Sequence, residues 1–432
     1  PRILTLWGSD GRAHRQVIKF DKDIRQDAAV QQLFAVLNEL LAADRTAASQ
    51  GLRLRTYRVI ALAETGVLEF VHGSQPLTSV VEASRRRASL LSLPTQPSAR
   101  ELGHAFHSAQ EPMHKARKEM EAVLRGETVP EGSSLSTLPS VETLASLSST
   151  IQRHRQKAID GLSQVLKETS STHISSSLLH RHPSAQSWLR ARKLYAASLG
   201  SSSAAGFVVG LGDRHATNVL IDLATGEIVH IDFGIMFSMG SLLEYPERIP
   251  FRLTQNLVHA LGPKGVDGAF RSSCEATMTV LRNQSSTVLA ILDSLLHDPM
   301  CRWTVPARET NAGVEEEGEK EEGEEGKDLG ADEIVLVEGF LDECRRKLQG
   351  IVPDPAGLEA DLASLGDIHD PDVFLTGGVG EVGRGAEDAT LNPSTGHSDE
   401  PLSVEHQVAR LISQATDKRR LCSVYKGWAP WI

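Results

Sequence analysis

The stretch FVVGLGDRHATNVLIDLATGEIVHIDFG, residues 207–234, decides how the rest of the chain is organised. Two β-type runs, NVLID and EIVHID, flank the turn signal Ala-Thr-Gly-Glu, so the stretch predicts a β-hairpin. A hairpin brings its outer ends together, and these ends carry Asp213, His215 and Asn218 on one side and Asp232 on the other. Two carboxylates, an amide and an imidazole are therefore expected to converge at one place.

These are the side chains that phosphoryl transfer to a hydroxyl group requires. Asp213 follows Gly212 in a tight turn and is predicted to orient, and to deprotonate, the attacking hydroxyl. His215 is predicted to stabilise the developing phosphate charge. Asn218 and Asp232 carry the hard oxygens that suit Mg²⁺, with Mn²⁺ as the alternative. Each would be an ordinary turn or cap residue if it stood alone, and only their combination favours catalysis.

The composition excludes several classes of protein. Of the 432 residues 40% are hydrophobic, which allows a large core and two or three domains. The net charge of −11 is concentrated in residues 315–328, where nine acidic residues and two lysines contribute −7. We find no extended basic patch for nucleic acid and no apolar run long enough to span a membrane. The four cysteines are scattered, which indicates a reducing compartment without a zinc site.

The first 72 residues predict a small α/β lobe. Lys19 ends its second strand, and Asp27 on the following helix is placed to orient the Lys19 ammonium toward nucleotide phosphates. Residues 69–72 join this lobe to the next, where backbone groups and the Phe70 ring are expected to receive an adenine. The expected strands are 2–7, 14–20, 53–60 and 67–71, and the expected helix is 24–43.

The rest of the chain predicts a larger, mainly helical lobe and a separate end. Helical patterns occupy 101–125, 141–167, 184–206, 252–261, 266–282 and 286–297. His230 shares the strand parity of Asp232 and is interpreted as structural. Residues 306–330 are predicted to be disordered and 351–400 to be a linker, with one helix at 331–349 between them. In the final segment, the tryptophans at 428 and 431 form either core or a contact with a partner or membrane, and packing on the helical lobe is the favoured interpretation.

Together these residues resemble the phosphatidylinositol 3-kinase-related protein kinases. The order Asp-Arg-His-x-x-Asn at 213–218 is similar to that family's signature. IRQDAAVQQLF (24–34) resembles its helix motif, PFRLTQNLV (250–258) the end of its activation loop, and the segment ending GWAPWI a FATC domain. GSDGRAHRQVIK and RQDAAVQQLF resemble ATM kinases, whereas LLHDP and HALGPKG resemble ATR kinases at least as much. We interpret the chain as closer to ATM.

The resemblance implies an α+β, bilobal protein-kinase-like fold of the phosphatidylinositol 3-/4-kinase type. Its parts would be an incomplete N-lobe (1–72), a C-lobe (73–305) with a low-complexity insert near 126–150, an acidic and Gly/Pro-rich region (306–400) and a FATC domain (401–432). It also implies ATP and Mg²⁺, an adenine site at Leu68, Glu69, Phe70 and Val71, and transfer to Ser or Thr before Gln. A nuclear location, DNA-damage sensor or adaptor partners and homodimerisation of the full-length protein follow from it as expectations.

Two departures from the family pattern stand out. Lys22 occupies the place of an acidic residue three positions after Lys19, and Asp21 or Asp23 could substitute for it. The family's first strand and phosphate-covering loop would lie upstream of residue 1. The alternatives to a protein kinase are a phosphoinositide kinase and a non-catalytic scaffold. Arg248 is the one basic residue between Gly234 and Pro250, which is unsuited to a polyanionic headgroup.

Overall fold

The structure is a computed structural model, and it describes ten parts of the chain. These are residues 2–20, 24–62, 65–91, 97–124, 141–243, 245–298, 301, 303, 331–352 and 401–432. The predicted disordered segment 306–330 lies outside the described residues. Residues 353–400 of the predicted linker lie outside them too. Asp21, Lys22 and Asp23, and residues 126–140 of the predicted insert, lie outside them as well. Residues 141–150 of that insert are helical.

The N-terminal part is an antiparallel sheet of four strands in the order β1-β2-β4-β3. Its strands are β1 (Arg2–Trp7), β2 (Ala13–Phe20), β3 (Val59–Ala61) and β4 (Thr65–Glu69), and its helices are α1 (Ile24–Ala43) and α2 (Arg45–Gln50). Helix α1 buries Leu33, Phe34 and Leu37. At Gly66 on β4 an added Cβ would collide with Ile24, so a glycine there allows α1 to start against the sheet.

The predicted strand over 53–60 is wrong for most of its length, because strand pairing begins at Val59. Side chains of α1 satisfy the preceding backbone instead. Asn38 Oδ1 accepts from the Leu54 N–H at 2.7 Å, and Gln31 Oε1 accepts from the Tyr57 N–H at 2.9 Å. These N–H groups therefore need no neighbouring strand, and the segment runs along the helix.

The C-terminal part is mainly helical around a small antiparallel sheet in the order β5-β6-β7. The strands are β5 (Ser74–Pro76), β6 (Val219–Asp222) and β7 (Ile228–His230). The helices are α3 (Leu77–Leu90), α4 (Ala99–Leu124), α5 (Val141–Glu168), α6 (His173–Arg181), α7 (Ala185–Val208), α8 (Gln255–Ala260), α9 (Ala269–Asn283), α10 (Ser285–Leu296), α11 (Ala331–Leu348), α12 (Val404–Thr416) and α13 (Lys418–Leu421). The expected bilobal α+β architecture is confirmed.

Helix α7 leads directly into the 207–234 stretch, and it is buried along its second half. At Gly200 an added Cβ would lie 2.7 Å from the Ser273 Cβ, so the absence of a side chain lets α9 pack closely against α7. The segment after α7 then pairs with the chain that follows β7. The Gly212 N–H donates to Ile235 O at 2.9 Å, and the Phe237 N–H donates to Val209 O at 3.0 Å. The turn that carries Asp213 is therefore fixed from both sides.

The end of the chain packs into the helical part, as the sequence predicts. Trp428 and Trp431 are each 2% exposed, and the Trp431 ring lies edge-on to Phe106 of α4. The Arg252 guanidinium lies 4.2 Å from the Trp428 ring centroid and donates to the carbonyl oxygens of Trp428 (2.7 Å), Ala429 (2.8 Å) and Ile432 (2.8 Å). The four cysteines are buried free thiols.

Candidate active site

The hairpin forms as predicted and brings its outer ends together. Val219 pairs with His230 across β6 and β7, so Asn218 and Ile231 continue the ladder, with the Ile231 N–H donating to Asn218 O at 3.1 Å. Asn218 therefore precedes one strand at the same end of the sheet where Asp232 follows the other.

The turn at residues 213–218, the proposed catalytic turn, groups three of the predicted residues. Asn218 Nδ2 donates to Asp213 Oδ2 at 3.1 Å, and His215 Nε2 lies 3.7 Å from the same oxygen. The Thr217 N–H donates to His215 Nδ1 at 3.3 Å, which leaves the ring proton of a neutral His215 on Nε2, facing Asp213. The Asp213 side chain is 37% exposed, so its carboxylate is accessible from solvent.

Lys19 and Asp27 complete the site from the N-terminal sheet. Lys19 Nζ lies 3.5 Å from Asp27 Oδ2 and 3.4 Å from Asp232 Oδ1. The other oxygen of Asp27 accepts from the Phe233 N–H at 3.0 Å. Asp27 is 2% exposed, whereas the Asp232 side chain is 48% exposed. A buried carboxylate thus orients the lysine, and an accessible carboxylate lies beside the lysine ammonium.

Both Asp213 and Asp232 have a left-handed backbone, with φ of 55° and 62°. This conformation is uncommon for residues other than glycine, although Asp and Asn tolerate it best. Strained residues of this kind persist where the surrounding contacts determine them, and they concentrate at functional sites. Both carboxylates project from such turns.

Arg214 holds this arrangement together, and sequence reasoning assigned it no role. It is 4% exposed, and its guanidinium donates to carbonyl oxygens at Gly212 (2.7 Å) and Ile231 (2.8 Å) and also contacts that of Asp232. It therefore joins the turn before β6 to the chain after β7. The signal available in the sequence was an arginine between two chemically active residues in an otherwise apolar stretch.

Burial changes the proton affinity of several groups here. Burial raises the pKa of Asp213, opposed by the nearby charges of His215 and Arg214. Burial likewise raises the pKa of Asp27, opposed by Lys19. The pKa of His230 falls to about 3 because burial and Arg214 disfavour its cation. His230 is therefore neutral at physiological pH, which agrees with a structural role.

The four predicted adenine-site residues lie together at the end of β4 and in the connection after it. The N–H groups of Glu69 and Phe70 donate to the carbonyl oxygens of Arg58 (2.8 Å) and Arg15 (3.4 Å). The Arg15 guanidinium lies 4.2 Å from the Phe70 ring centroid, so one face of that ring is covered. Leu68 is 9% exposed and belongs to the core beside Val71.

The donor set fits a metal ion that is shared with phosphate. The Asn218 amide nitrogen is used on Asp213, which leaves its oxygen as the free ligand atom, and Asp232 offers an accessible carboxylate. Among the described residues no group of three or more His, Cys, Asp or Glu side chains is placed to hold a metal ion. Mg²⁺ is typically held by one or two protein oxygens and completed by phosphate and water, so two ligands suffice.

Comparison with known proteins identifies the family of this chain. The profile described as "Phosphatidylinositol 3- and 4-kinase" matches residues 15–305. The chain belongs to the phosphatidylinositol 3- and 4-kinase family. The profile of the FATC domain matches residues 401–432. The expected family and the FATC segment are therefore confirmed.

The relatives of this family member are large protein kinases. It is 30% identical over 436 residues to "Serine/threonine-protein kinase TEL1" of Kluyveromyces lactis, covering 100% of this chain and 12% of that protein. It is 29% identical over 433 residues to "Serine-protein kinase ATM" of Sus scrofa, covering 100% of this chain and again 12% of the relative. The expected likeness to ATM is confirmed, and TEL1 proteins are similar as well.

Solved structures of this family support the same fold. The structure described as "FAT and kinase domain of CtTel1" matches with a TM-score of 0.62 and 26% identity, over 100% of this chain and 23% of that one. The structure described as "Complete CtTel1 dimer with C2 symmetry" matches with the same TM-score and identity, and 12% of it is covered. The chain thus spans a small part of each relative.

Proposed function

We propose that this chain is the catalytic region of a serine/threonine protein kinase that transfers the ATP γ-phosphate to Ser or Thr, with a preference for Ser or Thr before Gln. The observation that carries this proposal is the convergence of Lys19, Asp213, Asn218 and Asp232 at one end of the β6–β7 hairpin. Relatives named serine/threonine-protein kinases match over the whole chain, which supports protein as the substrate class.

Each residue has a part in the proposed reaction. Asp213 accepts a hydrogen bond from the substrate hydroxyl, orients it toward phosphorus and takes its proton as the bond forms. His215 donates from Nε2 toward the negative charge that develops on the transferred group. Lys19, which Asp27 orients, places its ammonium against the α- and β-phosphates, where it exchanges its contact with Asp232 for one with phosphate.

Asn218 and Asp232 are the proposed metal ligands. Bound Mg²⁺, or Mn²⁺ in its place, neutralises phosphate charge and polarises the phosphoryl oxygens. For adenine, the N–H groups of Glu69 and Phe70 are used within the sheet, so we assign recognition of the base edge to Val71 and an apolar contact to Leu68.

The structure of the loop after β7 disfavours a phosphoinositide substrate. Arg248 is the one basic residue of this loop, and it follows Glu247 directly. The other cations of the cavity that Arg248 lines, Arg346, Lys347 and Arg420, belong to α11 and α13, so the loop itself offers a polyanionic headgroup a single cation. The scaffold alternative is disfavoured because the carboxylates and the amide required for catalysis are all present and share one end of the hairpin.

The cellular role proposed here comes from the relatives. We propose a nuclear kinase of DNA-damage signalling and repair whose full-length form is a homodimer and is recruited by damage-sensor or adaptor proteins. The similar CtTel1 structure is described as a dimer with C2 symmetry. Among the described residues no helix is long and apolar enough to cross a bilayer. We retain 1–72, 73–305, 306–400 and 401–432 as proposed domain boundaries.

The proposal is tested with the full-length protein and radiolabelled ATP. A peptide with one Ser-Gln site is compared with the same peptide carrying Ser-Ala, and with vesicles that contain phosphatidylinositol. We expect label on the Ser-Gln peptide, at least about tenfold less on Ser-Ala, the size of one lost polar contact, and none on lipid. Label on the lipid alone would overturn the assignment to protein kinases, and equal labelling of both peptides would overturn the preference for Gln.

A further inference from the structure

A glutamate from the loop after β7 contacts the backbone of the catalytic residue. Glu247 Oε2 accepts from the Asp213 N–H at 2.7 Å, and the two residues are 34 positions apart. The Glu247 N–H donates to Gly240 O at 2.9 Å, which fixes the main chain from which the Glu247 side chain extends. The carboxylate is thus aimed at the main chain of the catalytic turn.

Two glycines make room for this carboxylate. An added Cβ at Gly212 would lie 3.1 Å from Glu247 Oε2, and one at Gly240 would lie 3.0 Å from the same oxygen. Side chains at either position would push the carboxylate away from the turn. The contact therefore depends on close backbone approach from both sides, which glycine alone permits without rearrangement.

The same peptide unit is held at its other end by a cation. The Gly212 carbonyl accepts from Arg214 Nε at 2.7 Å, while the Asp213 N–H of that peptide donates to Glu247. The orientation of this peptide plane sets φ of Asp213, which is 55°. A left-handed backbone is energetically unfavourable for a residue other than glycine, and hydrogen bonds to charged partners are strong enough to offset that cost.

We propose that Glu247 is a positioning residue that holds the Gly212–Asp213 peptide, and with it the Asp213 carboxylate, in the conformation required for phosphoryl transfer. This proposal rests on the proposed kinase function. Glu247 touches neither substrate nor nucleotide in this role, so it acts on turnover through Asp213. Its loss lowers kcat and leaves the binding of ATP and peptide nearly unchanged.

The environment of Glu247 makes this positioning dependent on pH. Burial raises the pKa of Glu247 to about 7, with Asp213 raising it further and the Asp213 N–H, Arg214 and Arg252 opposing. The ionised carboxylate is the stronger acceptor, so the hold on Asp213 strengthens as pH rises through 7. The other charged groups around the cavity of about 380 Å³ beside Glu247 are Arg248, Glu343, Arg346, Lys347 and Arg420.

The kinetic test uses Glu247→Ala and Glu247→Gln in the full-length protein. We expect Glu247→Ala to lower kcat about 30-fold with both KM values within about threefold, as for the loss of one charged hydrogen bond. Glu247→Gln keeps an amide oxygen as acceptor and is expected to lose less than about fivefold. It should also lack the increase of kcat between about pH 6 and about pH 8.

Glu343→Gln is the matched control, because Glu343 lines the same cavity but accepts from Ser238 Oγ. Hydrogen exchange provides a readout that does not need activity. We expect the Asp213 amide to lose protection in Glu247→Ala and to keep it in Glu247→Gln, while residues 219–230 stay protected in both. An unchanged Asp213 amide or an unchanged kcat in Glu247→Ala would overturn the proposal. A wild-type protein without kinase activity would overturn the proposed function instead, and the exchange result would still decide the role of Glu247.

Discussion

Asp27 Oδ1 accepts a hydrogen bond from the backbone N–H of Phe233 at 3.0 Å, which links α1 of the N-terminal sheet to the residue after Asp232. The second Asp27 oxygen lies 3.5 Å from Lys19 Nζ. One buried carboxylate thus sets the position of the lysine and of the chain that carries Asp232. Asp27 therefore fixes the distance between Lys19 and Asp232, although it is adjacent to neither of them in the sequence.

Replacing Asp27 separates these two tasks. Asp27→Asn keeps an oxygen for the Phe233 N–H but loses the charge that orients Lys19, so we expect the KM for ATP to rise about tenfold, as for one weakened ion pair. Asp27→Ala loses both contacts and is expected to lower kcat as well. Steady-state kinetics against ATP concentration measure the difference. Equal kinetics in the two variants would contradict a double role.

Asp213→Ala is expected to reduce peptide phosphorylation by at least about a thousandfold, because it removes the proposed base for the substrate hydroxyl. Single-turnover measurements with saturating ATP isolate the chemical step. Asp222→Asn is a useful control, because Asp222 lies on β6 at the far end of the hairpin and is 4% exposed. Retained activity in Asp213→Ala would contradict the assignment of the base.

The metal assignment predicts a change in metal requirement. Asn218→Ala and Asp232→Ala each remove one proposed ligand, so the Mg²⁺ concentration for half-maximal activity should rise at least about tenfold. Removal of divalent metal with a chelator should abolish activity in the unmodified protein, and Mn²⁺ should restore it. A mutant whose metal dependence equals that of the wild type would exclude that residue as a ligand.

Trp431 is expected to contribute strongly to stability. It is 2% exposed, packs on Phe106, and its carbonyl accepts from Asn256 Nδ2 at 3.2 Å. Trp431→Ala should destabilise its surroundings by about 3–5 kcal/mol, as other large-to-small core changes do. Thermal unfolding measures this, with Tyr425→Ala, 49% exposed, as the control. Similar melting of both variants would contradict core packing of the end of the chain.

Because His173 is buried, we expect the folded protein to lose stability in acid. It is 3% exposed and burial lowers its pKa from 6.5 to about 4. The unfolded state therefore binds the proton first, and stability that is present above pH 6.5 is lost as pH falls toward 4, at about 1.4 kcal/mol per pH unit. Hydrogen exchange of α6 at pH 7 and pH 5 measures it. His173→Asn should show a smaller difference between the two conditions.

Much of the site could be predicted from sequence because its signals are local. The bounds of α1 were predicted at Ile24 and Ala43 and are confirmed. The β6–β7 hairpin follows from a turn signal between two β-type runs, and it places Asn218 and Asp232 at one end. The residues that fix the site were not predictable in this way. Arg214 acts on main-chain oxygens, and Glu247 acts on an N–H 34 residues away, so neither role is visible in the sequence.

Elsewhere the local pattern was insufficient because tertiary contacts decided the outcome. The β-type pattern over 53–60 predicted a strand, but the side chains of Gln31 and Asn38 bind the backbone there. The apolar residues that recur at helical spacing in α1 include Val36, which is nevertheless 36% exposed because it lies at the flank of the buried stripe. Spacing identifies the face of a helix, whereas the edge of that face depends on what packs against it.

The left-handed backbone at Asp213 and Asp232 limits which substitutions the fold tolerates at these two positions during evolution. A single base substitution converts an Asp codon to Asn or Gly, and these are the residues that tolerate such a backbone best. Drift at either codon can therefore remove the chemistry and leave the architecture intact. A substitution to Val, equally close in the genetic code, would disturb both. Catalytically silent but folded descendants are thus one mutation away, and natural inactive paralogues should carry Asn or Gly at these two positions.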